Sequence, residues 1–246
     1  MSDIQINIIN KTYPAIEQAE AHTAIADLNL ALKSGEFICL VGPSGCGKTT
    51  LLNIIANLDH DYQGSISLSQ QSVRPKIGYI FQNPRLLPWR TVRENIELVV
   101  EGPLSVNIID SLLEEMQLTP SQHAYPERLS LGMSRRVSIT RAFAVDPDLL
   151  LMDEPFVSLD APTARQVRAL LLSLWQQRPH TVLFVTHDLR EAIALADRLI
   201  FLSASPMSII SEIRVPILRS ERHDEVAIET FRQQLLNEYP AIKQLL

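Results

Sequence analysis

EFICLV-GPSGCGKT-TLLNIIANL, Glu36 to Leu58, is the stretch on which the fold turns. Its first six residues are a short apolar run ending in a Gly/Ser/Pro cluster, the grammar of a buried strand feeding a turn. Beyond the cluster Leu51, Leu52, Ile55 and Leu58 recur at helical spacing, so a helix opening near Lys48 is expected to carry all four on one face. Between strand and helix, Gly42, Pro43, Ser44, Gly45, Cys46, Gly47, Lys48 and Thr49 fit the pattern GxxxxGK[ST] in the context that gives that pattern its meaning. Glycines let the backbone curl until several N–H groups face phosphate oxygens, and the helix start adds its positive dipole end. Lys48 is then expected on the β- and γ-phosphates of a nucleotide, Thr50 beside it, and the Thr49 hydroxyl on a Mg2+ ion.

The same grammar recurs further along. Leu149 to Met152 is an aliphatic run ending in Asp153, and Thr181 to Thr186 is another, followed by a helical pattern over Asp188 to Asp197. Strands alternating with helices predict an α/β fold with a mostly parallel sheet covered on both faces. Ligands gather at the carboxyl ends of such strands, so Asp153 is placed to hold Mg2+ and Glu154 to orient or deprotonate an attacking water. Between Thr91 and Val145 the pattern changes to helices alone. Thr91 and Glu94 form a potential capping box, and Ile108, Ile109, Leu112, Leu113 and Met116 make an apolar stripe. The expected division is a nucleotide-binding core over residues 1–90 and 146–215, a helical subdomain over 91–145, and a short extension over 216–246. The extension carries an amphipathic helix with Ile228, Phe231 and Leu235 on one side, after a strand-like run from Ile209 to Val215.

Composition narrows the function classes. With 46% apolar and 20% charged residues, the 246-residue chain has the balance of a folded domain, not of a disordered one. A net charge of −6 and no Lys/Arg run argue against a nucleic-acid groove. No apolar stretch approaches the roughly 18 to 20 residues that span a bilayer, and Met1 to Asn10 lack a signal pattern, so a cytoplasmic protein is expected. Cys39 and Cys46 suit neither a disulfide framework nor a zinc site. Cys46, in the loop, is expected to be the thiol that maleimide reaches, and Cys39, in a strand, to react slowly.

Five further segments, in order, make the chain resemble ABC transporter ATPases over nearly its whole length. Ser130-Leu131-Gly132-Met133 is similar to the family signature, with Ser130 as N-cap of a helix to about Val145. Gln82, after the run Ile77 to Phe81, is similar to the Q-loop glutamine, Ser158-Leu159-Asp160 to the D-loop, and His187 to the switch histidine. Tyr13 stands where the family stacks an aromatic ring on adenine, although a lone aromatic in a loop is equally ordinary surface packing. The resemblance implies a P-loop NTPase sheet domain with an inserted helical subdomain, and ATP with Mg2+ as its ligands. It further implies a homodimer in which each ATP lies between one copy's phosphate loop and the other copy's signature helix, with Ser130 and Gly132, and it makes Asp160 a further nucleotide-binding residue. Lys48, Gln82, Glu154 and His187 are the implied catalytic residues, and Thr49, Gln82 and Asp153 the implied metal ligands. Gln82 would also couple the nucleotide to the helical subdomain, and a groove near Gln82 to Asn95 would receive a helix from a membrane permease. Leu86, Leu87, Pro88 and Trp89 are either that contact or a loop packed on its own domain.

LLPWRTVREN, DEPFVSLDAPT and HDLREAIALADRLIFLS look most similar to the cassettes of nitrate, sulfonate and taurine importers, which work on the inner face of the membrane with a separate substrate-binding protein. Ser205-Pro206-Met207 and Ser220-Glu221-Arg222 depart from that group's usual residues. Phospholipid trafficking by the same fold, and a low-turnover regulatory cassette suggested by Leu131 in place of a signature glycine, are the alternatives. A mechanical clamp on nucleic acid or the ribosome would call for a basic surface or long coiled coils, and the sequence has neither.

Overall fold

The computed structural model describes residues 3–15, 20–68, 75–100, 105–243 and 245. Met1 and Ser2 of the N-terminal stretch, and residues 101–104 of the helical segment, lie outside them. In chain order the elements are β1 (Ile4–Tyr13), β2 (His22–Leu32), β3 (Phe37–Val41), α1 (Lys48–Ile55), β4 (Gln63–Leu68), β5 (Ile77–Ile80), α2 (Val92–Glu97), α3 (Ser105–Glu115), α4 (Leu131–Ala144), β6 (Leu149–Asp153), α5 (Ala161–Gln177), β7 (Thr181–Thr186), α6 (Leu189–Leu195), β8 (Arg198–Leu202), β9 (Ile209–Arg214), α7 (Glu225–Glu238) and α8 (Pro240–Lys243). Two units form around separate sets of contacts, Met1–Arg74 with Thr181–Leu246, and Pro75–His180.

In the first unit, β3 lies between β7 and β8, parallel to both, and β9 adds an antiparallel edge on β8. Every residue of β3 and β7 is buried, which is why both read as continuous apolar runs and not as alternating ones. Helix α6 covers β3 and β7, and α7, whose Ile228 and Leu235 are buried, packs on α6. The composition of α6 explains its start. Asp188 is its N-cap, accepting from the amides of Arg190 at 2.8 Å and Glu191 at 3.4 Å.

Beyond the expected parallel sheet there is a second, antiparallel one, in the order β2-β1-β4. Its signal is present in the chain: Ile4, Ile6 and Ile8 are buried while Gln5 and Asn7 are exposed, a period-2 pattern. The sheet is fastened to the parallel one where the Met207 amide donates to the Ala24 carbonyl at 2.8 Å and the Ala26 amide to the Met207 carbonyl at 3.3 Å. At Gly64 the β1 and β4 backbones come so close that a Cβ would stand 2.1 Å from the Asn7 carbonyl oxygen, at a φ of +145°. Gly64→Ala is therefore expected to cost about 3 kcal/mol, the upper end for a point change. Denaturant unfolding checks it, and an unchanged midpoint would put this strand register in error.

In the second unit β5 and β6 pair in parallel, and α4 packs on α2, α3, α5 and β5. The approach of α4 to β5 is tight at Gly78, where a Cβ would lie 2.6 Å from the Ala142 carbonyl oxygen. Among the described residues from Thr91 to Val145 there are only helices. The capping box opens α2 as expected, Thr91 Oγ1 accepting from the Glu94 amide at 3.3 Å and Glu94 Oε2 from the Thr91 amide at 2.7 Å.

Two expected apolar positions fall elsewhere. Leu58 is 58% exposed because α1 stops at Ile55 and Asn57 turns left-handed at φ 58°. Ile108 is 46% exposed and Leu112 half-buried, so the buried stripe is Ile109 and Leu113 of α3 with Met116 just after it. No helix among the described residues is long and apolar enough to cross a membrane.

Candidate active site

The phosphate-loop candidate grows directly out of β3. Gly42 follows a wholly buried strand in a tight place, where a Cβ would sit 3.1 Å from Leu202 Cβ and 3.2 Å from Cys46 Sγ and would push them aside by a few tenths of an ångström. Gly45 at φ 77° and Gly47 at φ 107° take the left-handed conformations that curl the loop. Gly47 is also the N-cap of α1, whose first turn carries no acid and no side-chain cap. The positive end of α1 thus faces the loop. Lys48 is 6% exposed and lies across the loop, its Nζ donating to the Gly42 and Pro43 carbonyls, both at 2.8 Å. Ser44, Gly45 and Thr49 face solvent.

Tyr13, at the end of β1, is brought to the same place. Its hydroxyl is 3.0 Å from Thr50 Oγ1, and Lys11 Nζ sits 4.7 Å from the centre of its ring. Lys11 is itself held by Asp59 at 3.0 Å and the Asp61 carbonyl at 2.7 Å. The ring is 41% exposed, leaving an aromatic face beside the loop. Val41 pairs with Thr186, so the exposed His187 leaves β7 at the level where Gly42 leaves β3.

Within the second unit, Ile80 pairs with Met152, which places Gln82 and the acidic pair at matching strand ends. Asp153 is 4% exposed. Glu154 is half-buried and holds a left-handed φ of 43°, and Gln82 Nε2 is 3.5 Å from its Oε2. A non-glycine residue in that conformation costs of order 1 to 3 kcal/mol, and such positions cluster at functional sites. Ser158, at φ 65°, is a second one nearby in the chain.

Ser130 is the N-cap of α4, its Oγ accepting from the Met133 amide at 3.2 Å, and Leu131 beside it is 44% exposed. At Gly132 a Cβ would approach Thr163 Cγ2 to 2.6 Å, so any larger residue there would have to displace that side chain. Asp160 caps α5 by accepting from the Thr163 amide at 3.2 Å, and hydrogen bonding from the Thr163 side chain, with that amide second, holds its carboxyl below the usual range. Trp89 is 69% exposed, and Pro88 is exposed with it, while Leu86 and Leu87 are half-buried.

One expectation is corrected. Cys46 is 2% exposed, its Sγ turned under the loop 3.8 Å from Lys48 Nζ, and desolvation raises its pKa although Lys48 opposes the shift. Cys39 is buried, and burial together with Glu191 raises its thiol further. Both thiols of the folded protein are therefore expected to react with maleimide at least about a hundredfold more slowly than in urea. Rapid modification of wild type but not of Cys46→Ser under native conditions would show that the loop opens to expose Cys46.

The arginines of α4 are site residues that no motif in the sequence singles out. Arg135 is 2% exposed and donates Nη1 to the Phe81 carbonyl at 2.9 Å and Nη2 to the Gln82 carbonyl at 2.7 Å. Arg141 donates to the Pro84 carbonyl at 2.8 Å and the Arg85 carbonyl at 3.0 Å. The Phe81 ring stacks on Tyr79 at 3.9 Å and lies under the Arg85 guanidinium at 4.1 Å. The only sequence signal is that a helix otherwise packed with small and apolar residues carries three arginines, at 135, 136 and 141.

Comparison with known proteins agrees with this geometry. Residues 25–157 match the family described as ABC transporter. The chain is 38% identical to the aliphatic sulfonates import ATP-binding protein SsuB of Bacillus subtilis (strain 168), over 98% of this chain and 96% of that protein. It is 37% identical to the nitrate import ATP-binding protein NrtD of Synechococcus elongatus, over 96% of this chain and 89% of that one. Among solved structures, a dimeric ATP-binding cassette in a post-hydrolysis state, bound to ADP and Pi, superposes with a TM-score of 0.75 at 30% identity, covering 87% of this chain and all of that one.

Proposed function

The chain belongs to the ABC transporter family and is an ATPase of the P-loop NTPase fold, and from that premise we propose that it powers a separate membrane permease importing a small anion such as a sulfonate, taurine or nitrate. The observation that carries the nucleotide half is the loop itself: left-handed glycines, a helix start free of acid, and a buried lysine lying across it. The transport half is supported by near-full-length similarity to sulfonate and nitrate import proteins.

In this reading Gly42, Pro43, Ser44, Gly45, Cys46 and Gly47 wrap the phosphates, Lys48 binds the β- and γ-phosphates, Thr50 helps hold the nucleotide, and Tyr13 stacks on adenine. Glu154 takes the proton of the attacking water, Gln82 aims that water, and His187 donates to the γ-phosphate as negative charge develops. Thr49, Gln82 and Asp153 offer Mg2+ a hydroxyl, an amide oxygen and a carboxylate. That set suits a hard cation that keeps waters and takes few protein ligands, and no cluster of three or more His, Cys, Asp or Glu stands among the described residues to favour another metal. When bound, Mg2+ neutralises charge on the phosphate oxygens.

Two copies are assigned to face each other so that Ser130, Gly132 and Asp160 of one complete the ATP site of the other, a reading supported by similarity to a cassette that is dimeric. The segment over 91–145 acts as the helical subdomain. The exposed Trp89 and Pro88, with Leu86 and Leu87, receive the permease helix, which places the protein peripherally on the inner face of the membrane. Reconstitution with its permease and binding protein in vesicles tests the whole reading through ATP-dependent uptake of labelled taurine, an alkanesulfonate or nitrate. Hydrolysis with none of the three imported would move the system to another solute, such as a phospholipid. No hydrolysis at all would favour a regulatory cassette, the reading that the exposed Leu131 suggests.

A further inference from the structure

Arg135 is a charge in an expensive place. It is 2% exposed, burial alone depresses its pKa, and its buried Nε finds no hydrogen-bond partner among the described residues. No carboxylate among the described residues pairs with it, so two neutral carbonyls are what its charge has been given. Burying a guanidinium on those terms is costly, and a methionine or leucine would fill the same volume with less desolvation. Packing therefore does not account for it.

What the fork does is geometric. Its two amino groups take the carbonyls of Phe81 and Gln82, consecutive peptide units, and a planar pair of donors on successive carbonyls fixes the direction of the chain there. A lysine's single ammonium has no such fork. One of the two acceptors belongs to Gln82, whose side-chain amide is 3.5 Å from the Glu154 carboxylate. The donor sits on α4, five residues after its N-cap, Ser130. Arg141 repeats the attachment three residues further on, at Pro84 and Arg85, and the Tyr79–Phe81–Arg85 stack stiffens the segment between.

We infer that Arg135 is a positioning residue for Gln82: its fork on the Phe81 and Gln82 carbonyls locks this segment to α4, so that the Gln82 amide and the Ser130 cap move as one body. The inference rests on the ATPase reading and adds to it a residue that touches neither nucleotide nor water. Its charge is spent on aim, not on affinity.

The test is steady-state ATP hydrolysis by the full chain with its permease, for wild type, Arg135→Met, Arg135→Lys, Gln82→Ala and the double variant Gln82→Ala/Arg135→Met. Arg135→Met is expected to lower kcat at least about tenfold while KM for ATP stays within about twofold, because the phosphate loop is untouched. Arg135→Lys, which keeps charge and loses the fork, is expected between the two, and it carries the test alone should Arg135→Met fail to fold. In the Gln82→Ala background Arg135→Met is expected to cost less than about a further twofold, since the residue it aims is gone. A lowered melting temperature with wild-type kcat per folded molecule would overturn the inference, as would losses that multiply in the double variant. Both outcomes presuppose an active wild type. An inactive wild type overturns the ATPase reading instead, and the inference with it.

Discussion

Glu154→Gln is expected to retain ATP binding and to lose turnover by about two orders of magnitude or more. The substitution keeps the size of the side chain and the polar contact with Gln82 Nε2, 3.5 Å away, and removes only the ability to take a proton. The phosphate contacts proposed for Lys48 and the loop glycines lie in another part of the chain and are left intact. With binding preserved and the chemical step blocked, the variant should accumulate as an ATP-bound dimer. Hydrolysis measured with the permease present, together with ATP-dependent dimerisation by size-exclusion chromatography, checks both halves. Turnover near wild type would remove Glu154 from the mechanism.

Ser130→Arg is expected to abolish turnover, by more than about a hundredfold, at a small cost in stability. Losing the hydroxyl that accepts from the Met133 amide removes a cap worth about 1 kcal/mol, and a cation at that helix end opposes its dipole. The functional loss is larger because the arginine would put bulk and misplaced charge where the other subunit's γ-phosphate is proposed to bind. The contrasting change is next door. Leu131→Gly is expected to alter turnover by less than about tenfold, equivalent to about 1.4 kcal/mol, because Ser130 and Gly132 keep the hydroxyl and the amide assigned to phosphate. Leu131 is 44% exposed at the first turn of α4, where a helical residue other than glycine is at ease. Should Leu131→Gly instead raise an inert wild type by orders of magnitude, the catalytic reading would give way to the regulatory one.

The parts of the molecule that were legible in advance are those where local chemistry dictates the backbone. The β3–loop–α1 passage could be read because Gly45 and Gly47 must be left-handed, and β7 because a strand buried on both faces is apolar throughout. The Thr91–Glu94 box, the Ser130 cap and the Asp188 cap are short-range hydrogen bonds written in adjacent residues. The antiparallel sheet was missed despite the alternation of Ile4, Ile6 and Ile8, since a period-2 pattern names a face and not the partner strands, and β4 lies more than fifty residues away. Burial of Cys46 depends on which way one side chain turns beneath the loop, and the left-handed Glu154 on its surroundings forcing an unfavoured conformation. Arg135 shows the limit most clearly. On paper it is one more cation on a helix, and only tertiary packing turns it from a solvated charge into a bracket on two peptide units.

The two carbonyl bonds of Lys48 bear on how affinity should be reckoned. An ammonium has three donors, and here two are committed to the carbonyls of Gly42 and Pro43 while the third meets Cys46 Sγ at 3.8 Å. On the proposed reading, phosphate entering the loop therefore does not meet a solvated cation. It takes part in an exchange, in which lysine–carbonyl bonds are traded wholly or partly for lysine–phosphate bonds, and the free energy that reaches the binding constant is the difference between the two. The same bonds hold the loop in its curled shape beforehand, so little ordering entropy remains to be lost when the anion arrives. Removing the lysine would thus register twice, once as a missing contact and once as a slack loop, and the measured loss would exceed the strength of the ion pair itself.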